Sequence, residues 1–284
     1  MKKSERIHIA KNTLEILERG DYVNRKGEMV SIRTQHQYAM EHNVYYDDNA
    51  YALMHAQEPD QLPKERTTEF EVVALTTLEA MSRLVNEGVS NIVCLNFASA
   101  KNPGGGFLNG SQAQEESLAR STGLYPTLIR NMAMYHFNRS LDSCLYSDHM
   151  IYSPGILVLK DDEGELLDTP YTVSVITSPA VNAGVVCRNE PDNVPRIGEV
   201  MMRRMDKVLS IAAYHGHRNI ILGAWGCGVF QNEPSDVAGY FASQLKEGKF
   251  RNVFDRVVFA IKSKEPRFIA PFQSLFDREA QSTS

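Results

Sequence analysis

The chain has 284 residues, which is enough for one large α/β domain with or without an extension. Hydrophobic residues make up 43% and charged residues 23%, so a sizeable core can form without disulfides or metal ions. The formal net charge of −5 argues against a protein that holds nucleic acid through many phosphate contacts, but it permits a pocket that binds one small anion through backbone N–H groups.

Cysteine spacing bears on the compartment and on metal binding. The four cysteines stand far apart and form no C-x-x-C pair: Cys94, Cys144, Cys187 and Cys227. This spacing predicts reduced thiols in a cytoplasmic protein and no zinc site. The N-terminal run MKKSERIHIAKNTLEIL lacks a continuous apolar stretch, so we expect neither a signal peptide nor a membrane partner.

The N-terminal segment begins with a helical pattern. Apolar residues recur there at helical spacing: Ile7, Ala10, Leu14 and Leu17. Ser4 is a candidate N-cap and Gly20 a candidate C-cap, and a turn is expected at Lys26 and Gly27. The following residues up to Arg66 are polar and read as irregular. We interpret residues 1–66 as a mainly helical extension that packs on the main domain.

From residue 67 onward, short apolar runs alternate with helical patterns. Strands are predicted for FEVVAL (70–75), NIVCLNF (91–97), YTVSVIT (171–177), NIILGAW (219–225) and RVVFAIK (256–262). Helices are predicted at 78–87, at 112–131 with an interruption at Pro126, at 200–215 and at 234–246. This alternation predicts an α/β fold with a mixed or parallel sheet and helices on both faces, spanning residues 67–276. Residues 277–284 are expected to form a disordered tail.

Ligands of such sheets bind at the C-terminal ends of strands, which directs attention to the loop after Phe97. This loop contains three consecutive glycines, Gly104, Gly105 and Gly106, which allow a close approach of backbone to ligand. A glycine run is also typical of a flexible surface loop, but its place between a buried strand and a helix favours a binding role. The adjacent Glu115 and Glu116 reach one ligand only at a helix start aimed at the pocket; otherwise they merely compensate the helix dipole.

The loop after Leu222 reads GAWGCGVFQNEP, at positions 223–234. Pro234 falls in the first turn of the next helix, and Asn232 is a candidate cap. The run GCGVF at 226–230 presents successive N–H groups, which predicts a cradle for a diphosphate. It is neither a P-loop nor a dinucleotide fingerprint, because no Gly-Lys-Ser/Thr follows and Gln231 stands at the third glycine. The alternative is a tight turn with Trp225 and Phe230 in the core.

The sequence points to no metal or cofactor. His215 and His217 end a predicted helix, but no HExxH motif or carboxylate cluster accompanies them, so we interpret both as structural.

The run PGGGFLNGSQAQEE resembles the signature of bacterial-type poly(ADP-ribose) glycohydrolases, with three glycines, a spacer at 107–113, and Gln-Glu-Glu. The run GAWGCGVFQN is similar to the diphosphate-binding loop of that family. The strings LYSDHMIYSP, SPAVNAG and IAKNTLEILERGDYVN extend the resemblance over nearly the whole chain. The resemblance implies a macrodomain-like, three-layer α/β/α fold with a mixed central sheet and an N-terminal, mainly helical extension.

The resemblance also implies roles for single residues. Glu116 would be the catalytic acid, and Glu115 would hold ribose hydroxyls. The other substrate contacts implied are Gly104, Gly105, Gly106 and Gln114 at the reacting ribose, and Gly226, Cys227, Gly228, Val229 and Phe230 around the diphosphate. For the adenine we expect Asn96 and Phe97.

The chemistry of two carboxylates supports three hypotheses. Breaking a ribosyl C–O bond passes through an oxocarbenium-like state and needs a proton on the leaving oxygen, which a carboxyl with a raised pKa supplies. The first hypothesis is hydrolysis of the O-glycosidic ribose bonds of poly(ADP-ribose), releasing ADP-ribose. The second is removal of single ADP-ribose groups from protein or nucleic acid. The third is a non-catalytic reader of ADP-ribose, which the intact Gln-Glu-Glu run disfavours. The expected partner is thus ADP-ribose or an ADP-ribosylated macromolecule, and no stable nucleic-acid complex is expected.

Overall fold

A mixed β-sheet forms the centre of the molecule in the computed structural model, which describes residues 1–56 and 67–277. The strands of this sheet are β3 (Val44–Tyr46), β4 (Glu69–Val73), β5 (Ile92–Phe97), β6 (Met150–Lys160), β7 (Leu166–Ser178), β8 (Asn219–Leu222) and β9 (Arg256–Ala260). Their order is β3-β6-β7-β5-β8-β9-β4. The strands from β7 to β4 pair in parallel, whereas β6 is antiparallel to both of its neighbours. The mixed sheet expected from the sequence is confirmed.

Helices cover both faces of the sheet. Their bounds are α1 (Lys3–Arg19), α2 (Arg33–His42), α3 (Asp48–His55), α4 (Thr77–Asn86), α5 (Gln114–Ser121), α6 (Leu124–Arg130), α7 (Met132–Ser140), α8 (Ala183–Asn189), α9 (Ile197–Tyr214), α10 (Pro234–Ala242) and α11 (Pro266–Phe276). Shorter turns are the 3₁₀ segments Phe107–Asn109 and Pro191–Arg196 and the π-helical turn Ser243–Glu247.

Strand β5 shows why the fold has three layers. Val93 and Leu95 point into the core beneath α9 and α10, while Ile92 and Cys94 point into the core beneath α4 and α5. All four side chains are buried. A strand that is apolar on both sides needs cover on both sides, so helices pack against each face.

Helix α1 ends as predicted but begins earlier. Gly20 caps its C-terminus with φ +81°. The N-cap is Lys2, two residues before the predicted Ser4, and the backbone N–H of Lys2 donates to the Glu5 carboxylate. The predicted turn at Lys26 and Gly27 joins strands β1 (Asp21–Val23) and β2 (Met29–Ser31) of a separate hairpin.

The prediction that the residues after this hairpin are irregular was wrong. They form α2, β3 and α3, and β3 pairs antiparallel with β6 at the edge of the central sheet. Their local patterns are weak, because β3 has three residues and α2 buries only Ala39. The domain boundary at residue 66 stays a prediction and falls among residues 57–66, outside the described part. The tail predicted at 277–284 also lies outside it, except for Asp277.

The long helix predicted at 112–131 is broken, but not at Pro126. The break lies at Thr122 and Gly123, where the chain turns to β6: Gly123 N–H donates to the Leu157 carbonyl at 2.9 Å, and Thr122 bridges Val158. Pro126 lies in the first turn of α6, where a helix needs no N–H donor.

The four cysteines are free thiols. Within residues 1–56 and 67–277, none of the helices combines the length and the apolar composition needed to cross a membrane.

Candidate active site

The two loops singled out in the sequence border one cavity of about 610 Å³. The loops follow β5 and β8, which are neighbouring parallel strands, so both emerge at the same edge of the sheet. The cavity is lined by Phe97, Ser99, Gly105, Gly106, Gln114, Glu115 and Glu116 from the first loop and by Trp225, Gly226, Gly228, Val229 and Phe230 from the second. The expectation that these segments share a site is confirmed.

Glu115 is a buried carboxylate held by donors at the end of β5. Its side chain is only 3% exposed. One oxygen accepts from the backbone N–H of Ser99 at 2.6 Å, and the other accepts from Asn96 Nδ2 at 3.3 Å. Burial raises the pKa of Glu115 to about 8, and the neighbouring charge of Glu116 adds to this rise, against the lowering effect of the hydrogen bonds from Ser99, Asn96 and the backbone of Gly104. Glu115 therefore holds its proton near neutral pH.

This raised pKa predicts a pH-dependent stability. An unfolded chain releases the Glu115 proton above its ordinary pKa of 4.5, whereas the folded chain retains it to about 8, so rising pH favours unfolding across this window. The Glu115→Gln variant has no titratable carboxyl group at this position. We expect its melting temperature, relative to the parent, to increase by about 2–4 °C or more between pH 5 and pH 8. Thermal unfolding of both proteins with the exposed-site control Glu18→Gln measures it, and a pH-independent difference contradicts the prediction.

Glu116 has one anchored and one unpartnered oxygen. Oε1 accepts from the backbone N–H of Gly106 at 3.0 Å, and Oε2 has no hydrogen-bond partner among the described residues. The side chain lines the cavity. The first turn of α5 thus delivers both carboxylates to the cavity, as the sequence predicted for a helix start aimed at the ligand. The loop thus holds Oε1, whereas no protein group of the described residues engages Oε2.

The three glycines serve different purposes. Gly105 adopts φ +59°, and a β-carbon there would collide with Glu116 Oε1 and lie 3.3 Å from Glu115 Oε2, so only glycine leaves room for both carboxylates. Gly106 lines the cavity and donates to Glu116. Gly104 does not line the cavity, because it is buried against the rings of Phe107 and Tyr125. Its backbone also donates to Glu115, and its predicted place against the ribose stays a prediction.

Asn96 and Gln114, both predicted to contact the substrate, are hydrogen-bonded to protein groups. Asn96, expected at the adenine, is fully buried and donates to Glu115 and to Thr177 Oγ1, so it positions a carboxylate and touches no ligand space. Gln114 lines the cavity, but its amide is bound by protein: it accepts from Phe97 N–H and donates to the Leu95 carbonyl, both at 2.8 Å. Its substrate contact stays a prediction. Sequence reasoning missed Ser99, because its contribution is a backbone N–H.

The second loop presents backbone donors to the cavity. Among the described residues, nothing accepts a hydrogen bond from the N–H groups of Gly228, Val229 and Phe230, which line the cavity. No Lys or Arg side chain of residues 1–56 and 67–277 lines it. The arrangement fits the predicted cradle for a diphosphate, built from backbone dipoles alone. Cys227 was predicted to contact the diphosphate, but its thiol is buried and its N–H donates to the Ala224 carbonyl.

The shape of this loop depends on Gly226 and Asn232. Gly226 adopts φ +74°, and a β-carbon there would lie 2.6 Å from Asn232 Nδ2. Asn232 donates to the carbonyls of Val181 and Gly226, so it ties the loop together and does not cap α10, whose N-cap is Glu233. Trp225 is fully buried beneath the loop, as the alternative interpretation expected, whereas Phe230 lines the cavity.

A second cavity of about 440 Å³ lies next to the first. The two share Phe97, Ala113, Gln114, Ala224 and Gly228. The walls of the second cavity are largely apolar and include Leu75, Leu78, Ile261 and Phe268. Glu115 and Glu116 line the first cavity, and the apolar side chains line the second.

Comparison with known proteins identifies the family. The model of the microbial-type PARG catalytic domain, where PARG denotes poly(ADP-ribose) glycohydrolase, matches residues 10–161. The crystal structure of the PARG from Thermomonospora curvata is 43% identical, covers 96% of this chain and 100% of that chain, and superposes with a TM-score of 0.90. The same enzyme bound to the inhibitor ADP-HPD is 43% identical, with coverages of 95% and 98% and a TM-score of 0.86.

A second organism gives the same result. The PARG from Deinococcus radiodurans in complex with ADP-ribose is 38% identical, covers 85% of this chain and 97% of that chain, and has a TM-score of 0.79. None of the curated proteins compared with the chain matches it. On the family model and on these structural matches, the chain belongs to the microbial-type poly(ADP-ribose) glycohydrolase family.

Proposed function

We propose that this protein hydrolyses the O-glycosidic ribose bonds of poly(ADP-ribose) and releases ADP-ribose, with Glu116 as general acid and base. One observation carries the proposal: the side chain of Glu116, whose Oε2 has no protein partner, lines the same cavity as the unpartnered N–H groups of Gly228, Val229 and Phe230. Family membership and the similarity to enzymes solved with ADP-ribose and with ADP-HPD support it.

The proposed mechanism uses both carboxyl groups. Glu116 protonates the leaving oxygen as the ribosyl C–O bond breaks, then takes a proton from the water that attacks the oxocarbenium-like centre. Glu115 holds the ribose hydroxyls, and its raised pKa keeps a proton within the carboxylate pair near neutral pH. The diphosphate lies on the backbone donors of the second loop, where its negative charge stabilises the positive charge developing on the sugar.

The two adjoining cavities suggest how ADP-ribose is oriented. The reacting ribose lies against Glu116 and the diphosphate against Gly228, which borders both cavities. The apolar walls at Leu78 and Phe268 then receive the adenine, with Phe97 at the junction. Phe97 thus remains our candidate adenine contact.

Three finer assignments accompany this function. We place the protein in the cytoplasm because its cysteines are widely spaced free thiols. We also assign its α/β/α core to the macrodomain class. The proposed targets are macromolecules that carry ADP-ribose, and the ADP-ribose is the part that the site recognises.

A direct assay tests the function. The purified protein and its Glu116→Gln variant are incubated with labelled poly(ADP-ribose) and, separately, with mono-ADP-ribosylated protein. We expect release of ADP-ribose from the polymer by the parent but not by the variant. Cleavage of the mono-modified substrate alone would instead identify a mono-ADP-ribosyl hydrolase. Binding of ADP-ribose without cleavage of either substrate would identify a reader.

A further inference from the structure

We propose that helix α1 positions the catalytic loop, and that Arg6 is the residue through which it acts; this inference rests on the proposed function. The catalytic loop is defined here as residues 104–112. Arg6 Nε donates to the Gly110 carbonyl at 2.7 Å, and Arg6 Nη1 donates to Gln112 Oε1 at 2.9 Å. The partners are more than a hundred residues away along the chain, so these contacts join the N-terminal helix to the site.

The backbones of α1 and the loop are in close contact at this point. Gly110 adopts φ +73° and ends the 3₁₀ turn Phe107–Asn109, with its N–H donating to Phe107 O at 3.0 Å. A β-carbon at Gly110 would lie 2.7 Å from the backbone oxygen of Lys3. One helical turn after Arg6, Ala10 packs on Phe107 in a small buried cluster. The turn is therefore held against α1 by polar contacts and by apolar packing.

Hydrogen bonds connect the part of the catalytic loop that Arg6 contacts to Glu116. Ser111 N–H donates to the Gly106 carbonyl at 3.1 Å, and Gly106 N–H donates to Glu116 Oε1 at 3.0 Å. Arg6 holds Gly110, the neighbour of Ser111. The Gly106 N–H that orients Glu116 is therefore fixed through residues 106–111. Loss of the Arg6 contacts removes the support of this segment at Gly110.

Helix α1 also holds the element that carries the carboxylates. Thr13 Oγ1 donates to the carbonyl of Arg120, in the last turn of α5, at 2.5 Å. Arg120 Nη1 in turn donates to the Ser111 carbonyl at 2.9 Å. Helix α1 is also fixed to β6 through Lys160, which donates to Asn12 Oδ1 at 2.7 Å. Helix α1 thus connects the sheet, the loop and α5, and fixes the position of the loop relative to Glu116.

Arginine suits this task because its planar fork donates to two acceptors at once, which lysine cannot reproduce. A small displacement of a catalytic group lowers the rate of the chemical step more than it weakens binding of the rest of the substrate. Arg6 itself does not line the cavity. It is therefore a positioning residue, whose loss acts on kcat more than on ligand affinity.

The test compares Arg6→Ala and Arg6→Lys with the control Arg19→Ala, which removes an exposed arginine from the other end of the same helix. We expect Arg6→Ala to lower kcat on poly(ADP-ribose) about tenfold, while KM and the Kd for ADP-ribose change less than about threefold. Arg6→Lys should recover part of this loss, and Arg19→Ala should match the parent. Amide hydrogen exchange of residues 105–112 should accelerate in Arg6→Ala, less so in Arg6→Lys, and not in Arg19→Ala.

The outcomes separate this inference from the proposed function. Parental kcat and parental exchange of the loop in Arg6→Ala would overturn it, as would a lowered melting temperature with unchanged kcat per active site. If the parent cleaves no ADP-ribosylated substrate, the proposed function fails, and the exchange measurement alone then decides whether Arg6 holds the loop.

Discussion

Replacing Glu116 by Gln is expected to lower kcat on poly(ADP-ribose) by roughly a hundredfold or more while ADP-ribose binding is retained. Glutamine has nearly the same shape, and its carbonyl oxygen still accepts from Gly106 N–H, so the cavity is preserved. The amide group that replaces Oε2 neither gives a proton to the leaving oxygen nor takes one from water. The loss therefore falls on the chemical step.

Steady-state turnover on polymer and calorimetric titration with ADP-ribose measure the two quantities separately. Glu18→Gln is the matched control, because it removes an exposed carboxylate from α1, away from the site. Turnover within a few-fold of the parent would refute the assignment of Glu116 as acid. A parallel loss of binding and turnover would show that Glu116 holds substrate.

Gly105→Ala is expected to lower kcat/KM about a hundredfold, the second largest effect, and to weaken ADP-ribose binding. A β-carbon at this position collides with Glu116 Oε1 and would lie 2.9 Å from its carboxyl carbon. The end of this side chain is flexible, so the fold survives while the carboxylate moves away from the sugar. Glu115, whose Oε2 would lie 3.3 Å from the new carbon, is crowded as well.

Gly216→Ala provides the control for backbone strain. Gly216 also has a positive φ, +72°, but a β-carbon there meets nothing within 4 Å. Both substitutions incur the left-handed penalty of about 1–2 kcal/mol, and only Gly105→Ala displaces a carboxylate. Kinetic constants and melting temperatures of the two variants make the comparison. Equal losses of activity in both would attribute the effect to strain and contradict the steric argument.

The location of the site could be predicted from the sequence. A loop with glycines and two glutamates follows β5, a second glycine-rich loop follows β8, and ligands of parallel sheets bind where such strands end. What the sequence does not show is which way neighbouring side chains point. Asn96 and Phe97 were both expected at the adenine, yet successive residues of β5 face opposite sides of the sheet. Asn96 therefore lies beneath Glu115, and only Phe97 reaches the cavity.

Other features depend on contacts between distant parts of the chain. No local pattern relates Arg6 to Gly110, or Ser99 N–H to Glu115. Strand β3 is too short to show alternation, and it exists because β6 offers it an edge. Thr122 and Gly123 break a sequence with helical spacing, because they pair with the strand beside them. In each case tertiary contacts override the local signal.

The absence of cationic side chains around the 610 Å³ cavity, among the described residues, has a consequence for competition in the cell. Lysine and arginine clusters attract every polyanion, and their binding weakens steeply as ionic strength rises, because counterions are released from the polymer. A cradle of fixed amide dipoles gains little from that release. In the adjoining cavity Lys262 is the one cationic side chain among the described residues. We therefore expect the affinity for ADP-ribose to depend mainly on fit and hydrogen bonding and to vary little with salt, so that RNA and DNA compete poorly for this cavity.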